Sequence, residues 1–143
     1  MKQVILQSRL YAGQAVTRAV EDAKTKPGVV IQASGIGRYG PHGDEVLDKS
    51  APYGSDFLSD VACQWEASTG AVERWGVRRV ILHTNAVLER DGGMLPRMLL
   101  PIRLFEGGPL GNGHQWLSWI HREDEVRALR FFLKTRMSME PST

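Results

Sequence analysis

The chain has 143 residues, enough for one domain with a modest hydrophobic core. Its 18 basic residues are scattered among 16 acidic ones, which excludes a basic stripe of the kind that binds nucleic acid. No run of about 18 apolar residues occurs, so no helical membrane span is expected. A single cysteine excludes an internal disulfide, and the first residues lack a signal-peptide pattern, so we expect a cytoplasmic protein.

The beginning of the chain predicts a helix, a strand and a long loop. Apolar residues recur at helical spacing from Ile5 to Ala23, and Pro27-Gly28 ends that pattern. The apolar segment Gly28–Ser34 predicts a short strand that is buried on both faces, as in a parallel sheet. Gly35–Tyr53 is rich in glycine, proline and aspartate, which indicates a loop at the carboxyl end of that strand.

A second helix and a second strand follow this loop. Ser55 or Asp56 is positioned to cap the helix, and Gly76 closes it. The β-branched segment Val77–Thr84 predicts the strand. Because the elements alternate as helix, strand, helix and strand, the sequence predicts an α/β fold with right-handed parallel crossovers.

The pattern is weaker after the second strand. Met94–Phe105 predicts a short helix that Pro101 kinks or ends, and Gln115–Ile120 predicts a short strand after a glycine-rich loop. Acidic residues fill the first turn of Glu123–Lys134, and its apolar residues share one face, which indicates a helix. We therefore expect two main parallel strands, at most a short third, and three or four helices.

Seven short passages occur in a particular order along the chain, from about residue 2 to residue 134. They are Ser8-Arg9, Ala33-Ser34-Gly35-Ile36-Gly37-Arg38-Tyr39-Gly40, Gly43-Asp44-Glu45-Val46, Asp56-Phe57-Leu58 with Trp65-Glu66-Ala67, Asp91-Gly92-Gly93-Met94, Gly107-Gly108-Pro109-Leu110-Gly111 and Trp119-Ile120-His121. Together they resemble an atypical subgroup of extended short-chain dehydrogenases/reductases of the sugar-nucleotide epimerase type. No single passage is specific, but their order and spacing are.

The resemblance implies that residues 1–136 form the C-terminal part of an NAD(P)-binding Rossmann-like domain, with residues 137–143 as a frayed tail. Family members begin with a strand, a glycine-rich turn and a helix whose N–H groups hold the cofactor pyrophosphate, whereas this chain begins with a helix. We therefore expect a partial Rossmann-like parallel sheet without the N-terminal dinucleotide-binding strands. The implied cofactor is NAD or NADP, and the implied partners are a small-molecule substrate and either a second copy of the chain or the missing half.

The resemblance proposes catalytic roles for three residues. Ser34 corresponds to a serine that hydrogen-bonds a substrate carbonyl or hydroxyl beside the cofactor, although a strand-end serine also satisfies loop backbone. Arg9 matches an arginine that orients a substrate phosphate or a catalytic water, and the alternative is an ordinary helix-surface arginine. Tyr39 is a candidate acid, with a packing role as the alternative.

The catalytic pair of the usual reductases is a tyrosine and a lysine four residues apart, in which the lysine lowers the pKa of the tyrosine. Aligned on Trp65-Glu66, these two positions hold Leu58 and Ala62, and neither side chain transfers a proton. Relatives often carry cysteine at the lysine position, but Cys63 lies one residue further, about 100° round the helix. We expect Cys63 to be a buried, unreactive thiol, and we expect no tyrosine-based catalysis from this chain.

The remaining candidates follow the second strand. The resemblance implies that the backbone of Asn85 and Ala86 lies near the nicotinamide. It also implies that the stretch containing Trp119 and His121 closes the substrate pocket, although His121 equally suits capping the following helix. His114 is a further candidate for a substrate contact. The four histidines lack metal-ligand spacing, so we predict no metal site.

Three functional hypotheses are open from the sequence. The chain is part of an NAD(P)-dependent epimerase or reductase for a nucleotide sugar or a similar hydroxylated substrate, and it is inactive as an isolated fragment. Alternatively, it is a non-catalytic binding or interaction module, because half of a parallel sheet exposes an edge and faces that need covering. The third hypothesis is an incomplete reading frame that has no function of its own.

Overall fold

The computed structural model describes residues 2–109 and 111–135. These residues fall into two compact units, of which the first ends at His83 and the second begins at Thr84. The tail expected at residues 137–143 lies outside the described residues. Among the described helices, none is long and apolar enough to cross a membrane.

The first unit contains the predicted helix–strand–helix–strand order. Two strands are hydrogen-bonded neighbours in a two-stranded sheet, and the connection between them carries the second helix. That helix packs against the first strand and against the first helix. The elements are α1 (Lys2–Asp22), β1 (Val29–Gly35), a 3₁₀ helix (Ile36–Tyr39), α2 (Phe57–Ala67), a second 3₁₀ helix (Gly70–Trp75) and β2 (Arg78–Thr84).

The boundaries of these elements follow from local chemistry. Asp56 caps α2, since its side chain accepts a hydrogen bond from the Ser59 N–H, as one of the two predicted caps. Gly76 ends the second 3₁₀ helix in the left-handed conformation, with φ 71°. Lys26 covers the end of α1 by donating to the carbonyls of Val20, Glu21 and Ala23. The predicted first helix and both strands of this unit are confirmed, but the second helix ends at Ala67, and Gly76 closes a separate 3₁₀ helix instead of α2.

The apolar core of the first unit is small. Val20 of α1, Val72 and Val77 are buried together, and Val30 and Trp75 pack against them. The other described buried apolar side chains of this unit, Val61 and Ala62, lie on α2. Four buried valines supply only about 6–12 kcal/mol of hydrophobic stabilisation, at roughly 1.5–3 kcal/mol for each side chain. Polar contacts between β1 and α2 therefore carry a substantial share of the packing in this unit.

The expectation that β1 is buried on both faces is wrong. Gln32 and Ser34 are buried, but Ala33 between them is exposed. Since successive side chains of a strand point to opposite faces, only the face towards α2 is covered. The apolar residues of β1 indicate a buried strand. They do not show whether neighbouring elements cover one face of the strand or both faces.

The second unit contains a mixed sheet and two helices. Its strand order is β4-β3-β5, with β3 antiparallel to β4 and parallel to β5. The parallel register joins Ala86, Val87 and Leu88 to Trp119, Ile120 and His121. The elements are β3 (Ala86–Glu89), β4 (Gly92–Gly93), α3 (Met94–Arg103), β5 (Trp119–His121) and α4 (Arg122–Lys134).

The second unit confirms the late strand and helix and adds a hairpin that the sequence analysis did not predict. β3 and β4 turn back on each other through Arg90-Asp91, and Gly93 adopts φ 72° at the start of α3. α3 ends at Arg103 rather than Phe105, and Pro101 lies inside its last turn. The hairpin was missed because its strands are too short to show alternation.

The loop after β1 is closed by two glycines. Gly40 has φ 75°, and a Cβ atom on Gly54 would lie 2.7 Å from the Gly40 Cα and 2.6 Å from the Ser59 Oγ. The Gly54 N–H donates to the Arg38 carbonyl at 2.8 Å. This close approach brings Tyr53 back to the end of β1, beside Arg38.

A Gly13→Ala substitution tests the contact between α1 and α2. The new Cβ would overlap the Ser68 Oγ and lie 2.9 Å from the Ser68 Cβ. Because the new Cβ meets the Ser68 Cβ as well as the hydroxyl, we expect the upper part of the cost of overpacking, about 2–3 kcal/mol. Alanine in a helix gains about 1 kcal/mol over glycine, so the free energy of unfolding in urea should fall by about 1–2 kcal/mol. Gly28→Ala, where no atom lies within 4 Å, is the control and should change the unfolding free energy little. Equal stability of the two variants would contradict this packing.

Candidate functional site

Glu66 is a buried carboxylate that accepts hydrogen bonds from two side chains and lies close to two basic ones. It is 3% exposed. Its Oε1 accepts from Ser34 Oγ at 2.6 Å and lies 3.1 Å from His83 Nε2, and its Oε2 accepts from the Tyr53 hydroxyl at 2.8 Å. Arg38 Nη1 lies 3.6 Å from the same Oε2. We call these five residues the Glu66 cluster.

The local sequence explains why these groups meet. Alternation along β1 places Gln32 and Ser34 on the face that α2 covers. Helical spacing places Ser59, Ala62 and Glu66 on the buried face of α2. The contacts continue beyond Glu66, because Gln32 donates to the Trp65 carbonyl at 2.8 Å. The interface between β1 and α2 is thus polar near the end of the strand.

Aromatic rings enclose the guanidinium group of Arg38. Its carbon lies 4.2 Å from the Tyr53 ring centroid and 5.0 Å from that of Tyr39. Tyr39 also meets the His83 ring edge to face, with the centroids 5.9 Å apart. Within the described residues, the buried Nε of Arg38 has no hydrogen-bond partner. Arg38 is therefore held by ring stacking and by Glu66 and His83.

The electrostatics of the cluster keep Glu66 ionised. Burial raises the pKa of the Glu66 carboxyl. Hydrogen bonds from Ser34 and Tyr53 and the attraction of His83 and Arg38 lower this pKa, and together they lower it by more than burial raises it. The pKa of Glu66 thus lies below its ordinary value of 4.5. At neutral pH the carboxylate is a hydrogen-bond acceptor, which fixes Ser34 and Tyr53 as donors.

Tyr53 does not replace the missing catalytic tyrosine. Burial, its hydrogen bond to Glu66 and the negative charge of Glu66 raise the pKa of Tyr53 to about 12. A catalytic tyrosine of a reductase needs the opposite shift, towards neutral pH. Tyr53 therefore stays protonated and holds Glu66 in place.

The glycines after β1 have the spacing of a dinucleotide fingerprint but not its structure. Gly35, Gly37 and Gly40 match the pattern G-x-G-x-x-G. That fingerprint needs an α-helix whose N-terminus faces the pyrophosphate. Here a four-residue 3₁₀ helix follows β1, and α2 begins only at Phe57. This segment is therefore not a pyrophosphate site.

The structure places the three proposed catalytic residues in different surroundings. Ser34 is 6% exposed at the end of β1 and bonds Glu66. Tyr39 lies in the same region, against Arg38 and His83. Arg9 is exposed on α1, where its guanidinium carbon lies 5.2 Å from the Trp65 ring centroid. The catalytic roles of these three residues remain predictions.

The candidates after the second strand belong to the second unit. Asn85 is exposed, and the Ala86 N–H donates to the Ser118 carbonyl at 3.4 Å. Trp119 is exposed in β5, and the His114 N–H donates to the side chain of Asn112. His121 Nδ1 accepts from the Glu123 N–H at 3.2 Å, so the capping role considered for His121 is present. The cofactor and substrate roles of these residues remain predictions.

The two positions of the usual catalytic pair carry no proton-transfer group. Leu58 is exposed and Ala62 is buried. Cys63 is exposed, so the expected buried thiol is wrong. The turn of about 100° between neighbouring helix positions takes Cys63 off the face that buries Ala62. In the described part of the chain, no group of three or more histidine, cysteine, aspartate or glutamate side chains is placed to hold a metal ion.

Sequence reasoning missed four members of the Glu66 cluster. The sequence analysis used Glu66 only to align the positions of the catalytic pair. It did not predict that Arg38, Tyr53 and His83 lie close to Ser34. The available signal was a charged residue on the buried face of a predicted helix, since a buried glutamate requires partners. The identity of those partners depends on the loop and on β2, which are distant in sequence.

The chain is similar in sequence to proteins named as epimerase family proteins. It is 44% identical over 137 residues to such a protein from Staphylococcus saprophyticus, covering 94% of this chain and 45% of that protein. It is 40% identical over 131 residues to the epimerase family protein YfhF of Bacillus subtilis, covering 91% and 43%. The chain thus spans about half the length of the curated relatives it matches. No family model matches.

Two solved structures have the same fold over most of this chain. One is a human epimerase family protein crystallised with NADPH, with a TM-score of 0.81 and 34% identity over 91% of this chain and 44% of that chain. The other is a nucleoside-diphosphate sugar epimerase from Corynebacterium glutamicum, with a TM-score of 0.79 and 34% identity over 90% and 28%. The predicted resemblance and the partial Rossmann-like α/β fold are confirmed.

A Glu66→Gln substitution tests the ionised state of the cluster. Because the pKa of Glu66 is lowered in the folded chain, its contribution to stability is present above about pH 4.5 and is lost as pH falls through the folded pKa. Glutamine removes this pH dependence and leaves buried donors unpaired, so we expect a loss of about 1–3 kcal/mol at pH 7. Urea unfolding between pH 3 and 7 measures both effects, with exposed Glu21→Gln as the control. The same profile in wild type and Glu66→Gln would contradict an ionised cluster.

Proposed function

We propose that this chain forms the substrate-side part of an NAD(P)-dependent epimerase- or reductase-like protein. The premise is that the chain belongs to the epimerase family of atypical extended short-chain dehydrogenases/reductases. The proposed substrate is a nucleotide sugar or a similar hydroxylated molecule. The proposal also holds that the isolated chain is catalytically inactive.

The hydrogen bond from Ser34 to Glu66 is the observation that carries the substrate proposal. Ser34 lies at the carboxyl end of β1, the edge at which open α/β sheets bind ligands. Its single hydroxyl hydrogen is donated to a buried, ionised carboxylate. The two lone pairs of the Ser34 oxygen can only accept, which favours a hydroxyl group of the substrate over a carbonyl.

The cofactor proposal rests on the human relative that was crystallised with NADPH. The described residues fit only part of such a cofactor, because the glycines after β1 do not lead into an α-helix. The resemblance implies a cofactor contact for Ser34 of the first unit and, separately, for the backbone at Asn85 and Ala86 of the second unit. When bound, NAD(P) supplies hydride transfer. The residues of this chain contribute binding and orientation.

The proposed inactivity follows from the groups at the catalytic positions. Leu58 and Ala62 cannot exchange a proton. Tyr53, with a pKa of about 12, is committed to Glu66. Proton transfer at neutral pH requires a group whose pKa is near the working pH. Tyr39 is the one remaining acid among the proposed catalytic residues.

An alternative is a non-catalytic interaction module of the same fold. The second unit exposes large apolar side chains, with Phe105 99% and Trp116 79% exposed, and none of its described residues is fully buried. Large exposed apolar side chains of this kind favour an interaction surface. The proposed occupant is the remaining part of the epimerase fold, because the matched relatives are about twice as long as the aligned segment.

An NADPH titration tests the cofactor proposal. The isolated chain should give no saturable change in NADPH fluorescence, since the glycines after β1 do not lead into an α-helix that could hold the pyrophosphate. A fusion of this chain to the unmatched part of the Staphylococcus saprophyticus relative should bind NADPH, with the intact relative as the positive control. Saturable binding by the isolated chain would contradict the incomplete site, and failure of a folded fusion to bind would contradict the cofactor assignment.

Light scattering tests the alternative function. The isolated chain is mixed with the unmatched part of the same relative, supplied as a separate polypeptide. We expect a one-to-one complex that melts more cooperatively than either part, because association covers apolar surface. A clean monomer with a cooperative melt, unchanged by the second polypeptide, would contradict the interaction module.

A further inference from the structure

One ring nitrogen of His83 has two neighbours that require opposite hydrogen-bond roles. Nε2 lies 3.2 Å from Arg38 Nη1 and 3.1 Å from Glu66 Oε1. A guanidinium group only donates, and an ionised carboxylate only accepts. The nitrogen carries either a lone pair or a hydrogen, so it can satisfy one of these two neighbours at a time.

We propose that His83 is a proton-operated switch that holds Arg38 when its ring is neutral and releases Arg38 when its ring is protonated. In the neutral ring with hydrogen on Nδ1, Nε2 accepts the hydrogen bond from Arg38. After protonation, Nε2 donates to Glu66 instead, and the imidazolium faces the guanidinium with the same charge. Arg38 then loses its hydrogen bond and is repelled, while Glu66 gains a charge-assisted donor.

The groups that face His83 favour this exchange. Arg38 and Tyr39 face it from the 3₁₀ helix after β1, and Glu66 faces it from α2. Tyr53 acts through Glu66 and Arg38, which it contacts directly. The carboxylate is ionised at neutral pH, so it attracts the proton on His83, whereas Arg38 opposes that proton. Arg38 also lies 3.6 Å from Glu66 Oε2, so protonation of His83 changes the contact between Arg38 and His83 while the attraction between Arg38 and Glu66 remains.

The released guanidinium group has donors to offer. Its Nη1 no longer has His83 as an acceptor, and its Nε has no partner among the described residues in the closed arrangement. The two tyrosine rings keep the group beside Ser34 and Glu66. Protonation of His83 therefore leaves Arg38 with a buried Nε and with an Nη1 group whose remaining neighbour is the Glu66 carboxylate, 3.6 Å away. This inference concerns only the contacts of the Glu66 cluster and stands whether or not the proposed substrate is correct.

Nuclear magnetic resonance of the ¹⁵N-labelled 143-residue chain tests the switch. The imidazole nitrogens of His83 and the Nε–Hε group of Arg38 are followed from about pH 5 to pH 8, the range in which histidines titrate. Arg38→Lys, in which its Nε–Hε resonance disappears, gives the assignment. We expect the Arg38 resonance to move with the same midpoint as His83, and the neutral ring to carry its hydrogen on Nδ1.

Two variants separate the switch from a general effect of pH. His83→Gln cannot be protonated, so the Arg38 resonance should stay constant across the titration. His42→Gln removes an exposed histidine that bonds Glu45 and the Tyr39 carbonyl, and it should leave the Arg38 titration unchanged. An Arg38 resonance that is constant in the wild type, has another midpoint, or still moves in His83→Gln overturns the proposal. If His83→Gln does not fold, the midpoints in the wild type and in His42→Gln decide the question alone.

Discussion

The need to satisfy one buried carboxylate determines the arrangement of the first unit. Glu66 lies on the covered face of α2 and is 3% exposed. An ionised group in that position is stable only if donors surround it. Hydrogen-bond donors come from β1 and from the loop after it, and basic side chains come from the 3₁₀ helix after β1 and from β2. Because these elements are distant in sequence, the Glu66 contacts also fix how the strands, the loop and the helix meet.

This arrangement also limits the chemistry of the neighbouring groups. Ser34 and Tyr53 donate to the carboxylate, so each loses the freedom to donate elsewhere. A reductase of the usual kind uses a lysine to make its tyrosine more acidic. Here a carboxylate makes Tyr53 less acidic, with a pKa of about 12. The polar cluster at the end of β1 therefore suits holding a ligand and positioning Arg38 better than exchanging a proton.

The epimerase relatives give the exposed surfaces of this chain a physical context. Identities of 40–44% with proteins about twice as long show that the aligned segment is one part of a larger fold. In such a fold a parallel strand is covered on both faces. β1 is covered on one face, and the second unit leaves Phe105 and Trp116 exposed. Within the first unit, the small valine core and the Glu66 cluster therefore hold the helices and strands together.

The sequence by itself determined the α/β class, the order of the elements around β1 and β2, and the family. Those features depend on local periodicity, on caps such as Asp56 and on the order of short passages, all of which can be read along the chain. Only the tertiary structure decided which face of β1 is covered, that Cys63 is exposed, and that Glu66 joins Ser34, Arg38, Tyr53 and His83. These outcomes depend on contacts across 13 to 45 residues. A charged residue on a buried face indicates that it has hydrogen-bonding or ionic partners. Which residues are those partners depends on the path of the backbone in the folded chain.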